Sequence, residues 1–458
     1  MDALADRGKL DLLIKNSSVV LKDEVRILDI GVKDGLIVQL GHDIDAPALE
    51  TIDASGLTVM AGMIDAHVHL NEPGLGAWEG FESGSAALAA GGVTTYIDMP
   101  LNGVPPTVTV AAMKMKLDAA YERSYVDYAL WGGLVPGKLH ELKPLSDAGV
   151  VGYKAFMSAP GGEGEDIFRE VDDYTLLEGM KIIKSLNKVL ALHAESEPIV
   201  SRLADAARSE GRLGAADYVA TRPIVAELEA INRALFYAEQ TGCALHFVHI
   251  SSEAGVRTIR EARERGMDVT VETCPHYLAF TSAAMVEKGA VAKCAPPMRD
   301  NEERERLWQA VREGRIDLIA SDHSPCPTSM KEADNFFDAW GGIAGAQSSV
   351  AFFVGEGHVK RGIPLTEISR IISGEPAKRF GLYPAKGEIR LGSDADLILI
   401  DLNTTYVLQK EQLYHRHKHS PYIGETFHCG IASVYSRGRK VYDSETGLGS
   451  EKRGTFIR

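Results

Sequence analysis

A chain of 458 residues, 45% hydrophobic and 25% charged, is long enough for one large domain and a smaller one and has an ordinary globular composition. Its formal net charge of −15 disfavours nucleic acid and anionic membrane surfaces as partners. Five scattered cysteines (Cys243, Cys274, Cys294, Cys326 and Cys429) form no C-x-x-C pair. With no basic-apolar leader at Met1–Asp6 and no apolar run near the roughly 20 residues of a membrane span, they point to reduced thiols and a cytoplasmic location.

Residues 1–58 carry short β-rich runs between turn signals: Leu10–Ile14, Ser18–Leu21, Ile27–Val32 and Leu36–Leu40. From 59 to 385 the rhythm changes to apolar strands alternating with helical patterns. The predicted strands are Thr58–Ile64, Thr94–Met99, Val126–Leu134, Val151–Phe156, Val189–Leu192, Leu245–Val248, Asp268–Val271 and Asp317–Ala320. Helices are predicted at Ala226–Glu239, Ala254–Arg265 and Glu302–Arg312. The β-rich texture returns in 386–458, at Ala395–Ile400, Tyr406–Leu408 and Ile431–Tyr435. The fold class this predicts is α/β: a (β/α)8 TIM barrel over 59–385, with a small β-sandwich domain built from 1–58 and 386–458. A doubly wound open sheet is the competitor, but no G-x-G-x-x-G or P-loop follows an early strand.

Barrel enzymes place their chemistry where the strands stop. The first run ends in His67-Val68-His69, two imidazoles at i and i+2 on one face of an extended segment. The fourth ends at Lys154, the fifth at His193, the sixth at His249 and the eighth at Asp322. This nitrogen and oxygen set suits zinc, with manganese, cobalt or iron as alternatives. Lys154 cannot ligate as an ammonium. A buried amine loses its charge readily, and a neutral one can add carbon dioxide to give a carbamate able to bridge two ions; the alternative is a lysine that reaches solvent or binds substrate as a cation.

On these residues the chain resembles the cyclic-amidohydrolase branch of the amidohydrolase superfamily, which includes dihydroorotases, hydantoinases, dihydropyrimidinases and allantoinases. The likeness covers nearly the whole length, and no ligand position departs from the pattern. It implies a binuclear centre in which His67, His69 and Asp322 hold one ion, His193 and His249 the other, and a carboxylated Lys154 bridges them. It also implies Asp322 as the catalytic base and acid, and a homotetramer.

Dihydroorotases typically read H-x-H-L-R, the arginine receiving a substrate carboxylate. Here the run is His67-Val68-His69-Leu70-Asn71-Glu72, so the bidentate clamp is missing. Glu72, were it to face the site, would further repel an anion. Asp98–Asn102, Ser321–Cys326 and Ala339–Gln347 resemble allantoinases, and the tyrosine that hydantoinases and dihydropyrimidinases carry shortly after the lysine strand is absent from Lys154–Pro160. The resemblance thus implies allantoin as the small-molecule substrate, opened to allantoate. Hydantoinase, dihydropyrimidinase, dihydroorotase and a non-catalytic scaffold are the alternatives.

Asn71, Asn102, Cys294, Ser324 and Gly342 are candidate substrate-binding residues. His276 and His323 read as structural, Trp340 as a pocket wall or ordinary packing, and Pro160–Glu165 as a mobile loop and candidate lid. Glu227, Glu229, Glu239 and Arg233 are expected on a solvated helix face, Glu302–Arg315 on an exposed amphipathic helix, and His415, His417 and His419 in a surface loop.

Overall fold

The computed structural model describes residues 9–161 and 167–458. Strands from both ends of the chain share one sheet, in the order Gly447–Leu448, Arg439–Asp443, Gly430–Ser436, Leu397–Asp401, Thr58–Ala61, Leu10–Val20, Val25–Lys33, Leu36–Gly41, and Ala48–Asp53 also pairs with Leu10–Val20. Alternation of side chains sends Leu12, Ile14, Val19, Ile30, Val32, Leu397 and Leu399 to one buried face. Neither end supplies enough apolar residues for a core alone, so each completes the other.

The middle of the chain is parallel. Met63–Val68, Val93–Asp98 and Asp127–Leu130 pair in succession, and so do Gly132–Gly133, Gly152–Phe156, Val189–His193, Ala244–Phe247, Val269–Thr273 and Leu318–Ile319. Trp131 joins the two series: its N–H donates to the Asp98 carbonyl at 3.0 Å, and its indole N–H to the Ala66 carbonyl at 2.9 Å. The last strand returns to the first, since His69 N donates to the His323 carbonyl at 2.8 Å and Ser321 N to Asp65 Oδ1 at 3.0 Å. Almost every residue of these strands is buried, as expected where helices cover a parallel sheet. The intervening helices include Ile224–Thr241, Glu253–Glu264 and Asn301–Arg312. Ser252 and Asp300 cap the second and third through Gly255 N (3.1 Å) and Glu303 N (2.9 Å), and Gly242 ends the first at φ 68°. Among the described residues no helix is long and apolar enough to cross a membrane.

Three expectations are corrected. The strand predicted over Thr58–Ile64 is two strands: Thr58–Ala61 lies in the sheet of the chain ends and Met63–Val68 opens the parallel series. The chain changes sheet at Gly62, where a Cβ would stand 2.1 Å from Thr94 Oγ1. Glu227 is not solvated but fully buried, accepting from Ser251 N (2.8 Å), Ser251 Oγ (3.0 Å) and Ser252 Oγ (2.5 Å). The histidines of 415–419 are not in a free surface loop. His415 is buried, His417 Nε2 donates to the Ala77 carbonyl and His419 Nε2 to the Cys326 carbonyl, both at 2.8 Å. That segment leaves the sheet and packs on the loops that follow the first and last parallel strands. Of the candidate lid, residues 162–165 lie outside the described residues.

Candidate metal centre

The end of the first parallel strand presents His67 and His69 side by side, ring centroids 5.4 Å apart. His67 Nε2 lies 3.2 Å and His69 Nε2 3.3 Å from the same atom, Asp322 Oδ1. Among the described residues these three make the one cluster whose donor atoms all lie within 4.8 Å of one another. His193 and His249, from the fifth and sixth strand ends, form a second group, with His193 Nδ1 3.0 Å from His249 Nε2. The His67 and His249 rings, 5.4 Å apart, connect the groups.

Lys154 stands in the middle of the neighbouring strand Gly152–Phe156, wholly buried, its Nζ 4.9 Å from the centroid of the Phe156 ring. Among the described residues that Nζ has no hydrogen-bond partner. Burial pulls its ammonium down to about 7, against the opposing pull of the Asp322 and Glu272 carboxylates. Burial, reinforced by the positive charge of Lys154, likewise pushes His67, His193 and His249 below the ordinary histidine range. Neutral imidazole is the form that offers a lone pair to a cation.

Two donors at about 2.0–2.1 Å on a tetrahedral ion stand roughly 3.3 Å apart. The 3.0–3.3 Å donor spacings in both groups therefore fit divalent metal without rearrangement of the strands. The backbone carries strain at the same places. Of ten non-glycine residues with positive φ among the described residues, four are Asn71 (65°), Asn102 (64°), His249 (39°) and Asp322 (46°). Such conformations cost on the order of 1–3 kcal/mol each and persist where surrounding contacts hold them.

Comparison with known proteins agrees with this geometry. Residues 58–441 match the model of the amidohydrolase family. The chain belongs to that family. It is 45% identical to an allantoinase of Deinococcus radiodurans over 98% of this chain and 99% of that one, and 47% identical to an allantoinase of Rubrobacter xylanophilus over 98% and 97%. Among solved structures, the L-hydantoinase (dihydropyrimidinase) of Arthrobacter aurescens superposes with a TM-score of 0.94 at 36% identity, covering 98% of this chain and 99% of that one. The dihydropyrimidinase of Brevibacillus agri superposes at 0.90 with 29% identity, covering 97% and 98%. Within its family this amidohydrolase groups with the allantoinases.

The other singled-out residues of this amidohydrolase fall in two sets. Asn71 is buried beside His69; its Nδ2 donates to the Pro325 carbonyl at 3.2 Å and its Oδ1 has no partner among the described residues. Ser324 and Gly342 are in contact, and a Cβ on Gly342 would stand 2.4 Å from the Ser324 carbonyl oxygen. Lys331 fixes Gly342 by donating to its carbonyl at 2.7 Å. Cys294 is buried, burial holds its thiol up at about 12, and its carbonyl accepts from the Tyr218 hydroxyl at 3.1 Å. Asn102 is half-buried. His323 Nδ1 accepts from Gly345 N (3.2 Å) and Ala346 N (3.4 Å), a structural arrangement. Trp340 packs edge-on against Trp78 with centroids 4.8 Å apart. The condition set on Glu72 is not met: it accepts from Arg123 Nη1 at 2.9 and 3.1 Å and from Phe81 N at 2.9 Å. An engaged Glu72 contributes no repulsion at the metal centre.

Sequence reasoning missed two buried carboxylates. Glu272 Oε1 lies 3.0 Å from His67 Nδ1, and Glu272 also meets His246 Nε2 (3.1 Å) and His249 N (3.2 Å). Burial raises it to about 8. Glu195 lies 2.9 Å from His193 Nε2 and accepts from Arg222. Burial pushes Glu195 upward, but Arg222 and His193 outweigh that and hold it down at about 2. The H-x-E spacing of His193-Ala194-Glu195 was a usable signal. Glu272 had none, because it sits inside a strand predicted to stop at Val271.

Proposed function

We propose that this amidohydrolase opens the hydantoin ring of allantoin to give allantoate. The observation that carries the reading is the convergence of His67, His69 and Asp322 on one side, and His193 and His249 on the other, around a buried lysine with no partner among the described residues. His67, His69 and Asp322 would hold one divalent ion and His193 and His249 a second. Zinc suits these donors, with manganese, cobalt or iron as alternatives. Bound there, the ions would supply an activated water and polarise the ring carbonyl. The uncharged Lys154 amine would add carbon dioxide, losing a proton, and its carbamate would bridge the pair.

Asp322 would do the proton work. Its carboxylate accepts the proton of the attacking water and returns it to the ring nitrogen as the C–N bond breaks. Asn71, Asn102, Cys294, Ser324 and Gly342 would bind the ring and its neutral ureido arm. The unpartnered Asn71 Oδ1 is an acceptor for a ring N–H. With Asn71 in place of an arginine, the site offers no bidentate clamp for a carboxylate, which disfavours dihydroorotate. The lysine strand ends at Phe156, whose ring stacks on His193 at 4.5 Å and has no hydroxyl to support an oxyanion. That favours allantoin over unsubstituted hydantoin and dihydrouracil.

The parallel strands would close as a (β/α)8 barrel over 59–385, supported by the contacts of His69 and Ser321 across the first and last strands. The shared sheet would be the small β-sandwich domain of 1–58 and 386–458. The resemblance to the family supports a homotetramer, and the reduced thiols support a cytoplasmic location. The deciding experiment is turnover by metal-reconstituted protein, assayed side by side on allantoin, hydantoin, dihydrouracil and dihydroorotate. Allantoin should be the fastest; faster turnover of either unsubstituted ring removes the assignment.

A further inference from the structure

We infer that Glu195, anchored by Arg222, is a positioning residue that fixes the tautomer of His193, so that Nδ1 and not Nε2 is offered to an ion. The inference deepens the two-ion reading and rests on it. A neutral imidazole has one N–H and one lone pair, and the partner of one nitrogen decides the role of the other. His193 Nε2 lies 2.9 Å from Glu195 Oε2. Glu195 is 1% exposed and also accepts from the Arg222 guanidinium on the same oxygen. A carboxylate held beside a guanidinium only accepts, so the proton of His193 belongs on Nε2. Nδ1 is left with the lone pair, and it is the atom 3.0 Å from His249 Nε2.

The anchor is itself held. The Arg222 carbonyl accepts from Arg299 Nη1 at 2.5 Å, and Arg299 Nε donates to Ser251 Oγ at 3.0 Å. Ser251 in turn donates to the buried Glu227, so the chain runs from the imidazole into a helix core. The stacked Phe156 ring fixes the imidazole plane from the other side, 12° from parallel. His67 differs. Its Glu272 partner is shared with His246 Nε2 and His249 N and has no arginine hydrogen-bonded to it among the described residues, so the tautomer of His67 is not fixed in this way.

The test is metal binding by the intact protein, read as ions per chain by elemental analysis and as zinc affinity against a competing chelator. The parent should hold two ions. Glu195→Gln, whose amide can donate to Nε2 as well as accept from it, should keep one ion and bind the second about 10- to 100-fold more weakly. Glu195→Asp, which keeps the charge, should recover part of that loss. Two ions held by Glu195→Gln as tightly as by the parent would overturn the inference while leaving the two-ion reading intact. A parent that binds fewer than two ions would remove both. Should Glu195→Gln fail to fold, Arg222→Lys decides: a smaller loss at the second ion is expected, and unchanged affinity counts against the anchor.

Discussion

Lys154 and Lys386 are both shielded from water, at 0% and 4% exposure, in opposite surroundings. Lys386 Nζ lies 2.9 Å from Asp127, 2.6 Å from Asp396 and 2.9 Å from Asp394, joining the third parallel strand to the segment that leads into the sheet of the chain ends. Burial opposes its charge, but the three carboxylates prevail and raise its pKa, so it stays an ammonium cross-link. Lys154 faces imidazoles and the Phe156 ring, with only distant help from Asp322 and Glu272, and falls to about 7. Burial therefore does not assign a role to a lysine. The nearby counter-charges do, making one an electrostatic tie and the other an amine available for chemistry.

The largest effect is expected from Lys154→Ala. It should lose bound metal and with it nearly all allantoin turnover, with partial return in a short carboxylic acid. Full activity would show that Lys154 does no chemistry. Asp322→Asn comes next: a carboxamide cannot take the water's proton, so kcat should drop about 10²- to 10⁴-fold. Retained kcat would move the proton transfer elsewhere. Lys386→Met should act on stability instead, costing about 3–5 kcal/mol by leaving buried carboxylates uncompensated. Its kcat below the melting transition should match the parent's, and a loss of kcat without a loss of stability would contradict the structural role.

The smallest effect is a pH slope. In metal-free protein Lys154 titrates near 7, whereas an unfolded lysine titrates at about 10.4. Between those values the unfolded chain binds the extra proton, so this group makes stability rise with pH. Lys386 is raised, so its contribution is complete below about 10.4 and declines only above it. Urea unfolding of metal-free parent and Lys154→Met from pH 7 to 10 should show the parent's stability climbing relative to the variant's. Parallel curves would mean that Lys154 keeps its proton.

Much of the site was legible because its residues stand where apolar runs stop. His67-x-His69, Lys154, His193, His249 and Asp322 each stand at or near the stop of an apolar run, and the structure brings the imidazoles and Asp322 together, with Lys154 against the Phe156 ring that stacks on His193. Glu227 and His415 depart from expectation for one reason. Polarity predicts exposure, but each meets a segment distant in sequence: Ser251 meets Glu227, and the loops after the first and last parallel strands bond to 415–419. The Thr58–Ile64 run failed differently. It is continuous in hydrophobicity, and only the approach of Thr94 to Gly62 reveals that the chain changes sheet there.

The alternation of strands and helices, the β-rich texture of both ends and the kinds of donor after each apolar run can be read without coordinates, since these follow from periodicity and residue type along a single segment. Only the tertiary structure decided which charges survive burial. It set Arg222 against Glu195, left Glu272 with no arginine or lysine within hydrogen-bonding distance, gave Lys386 three carboxylates and gave Lys154 none at that distance, all among the described residues. A charge in a low-dielectric interior is governed by neighbours a few ångströms away, and those neighbours come from segments tens to hundreds of residues distant.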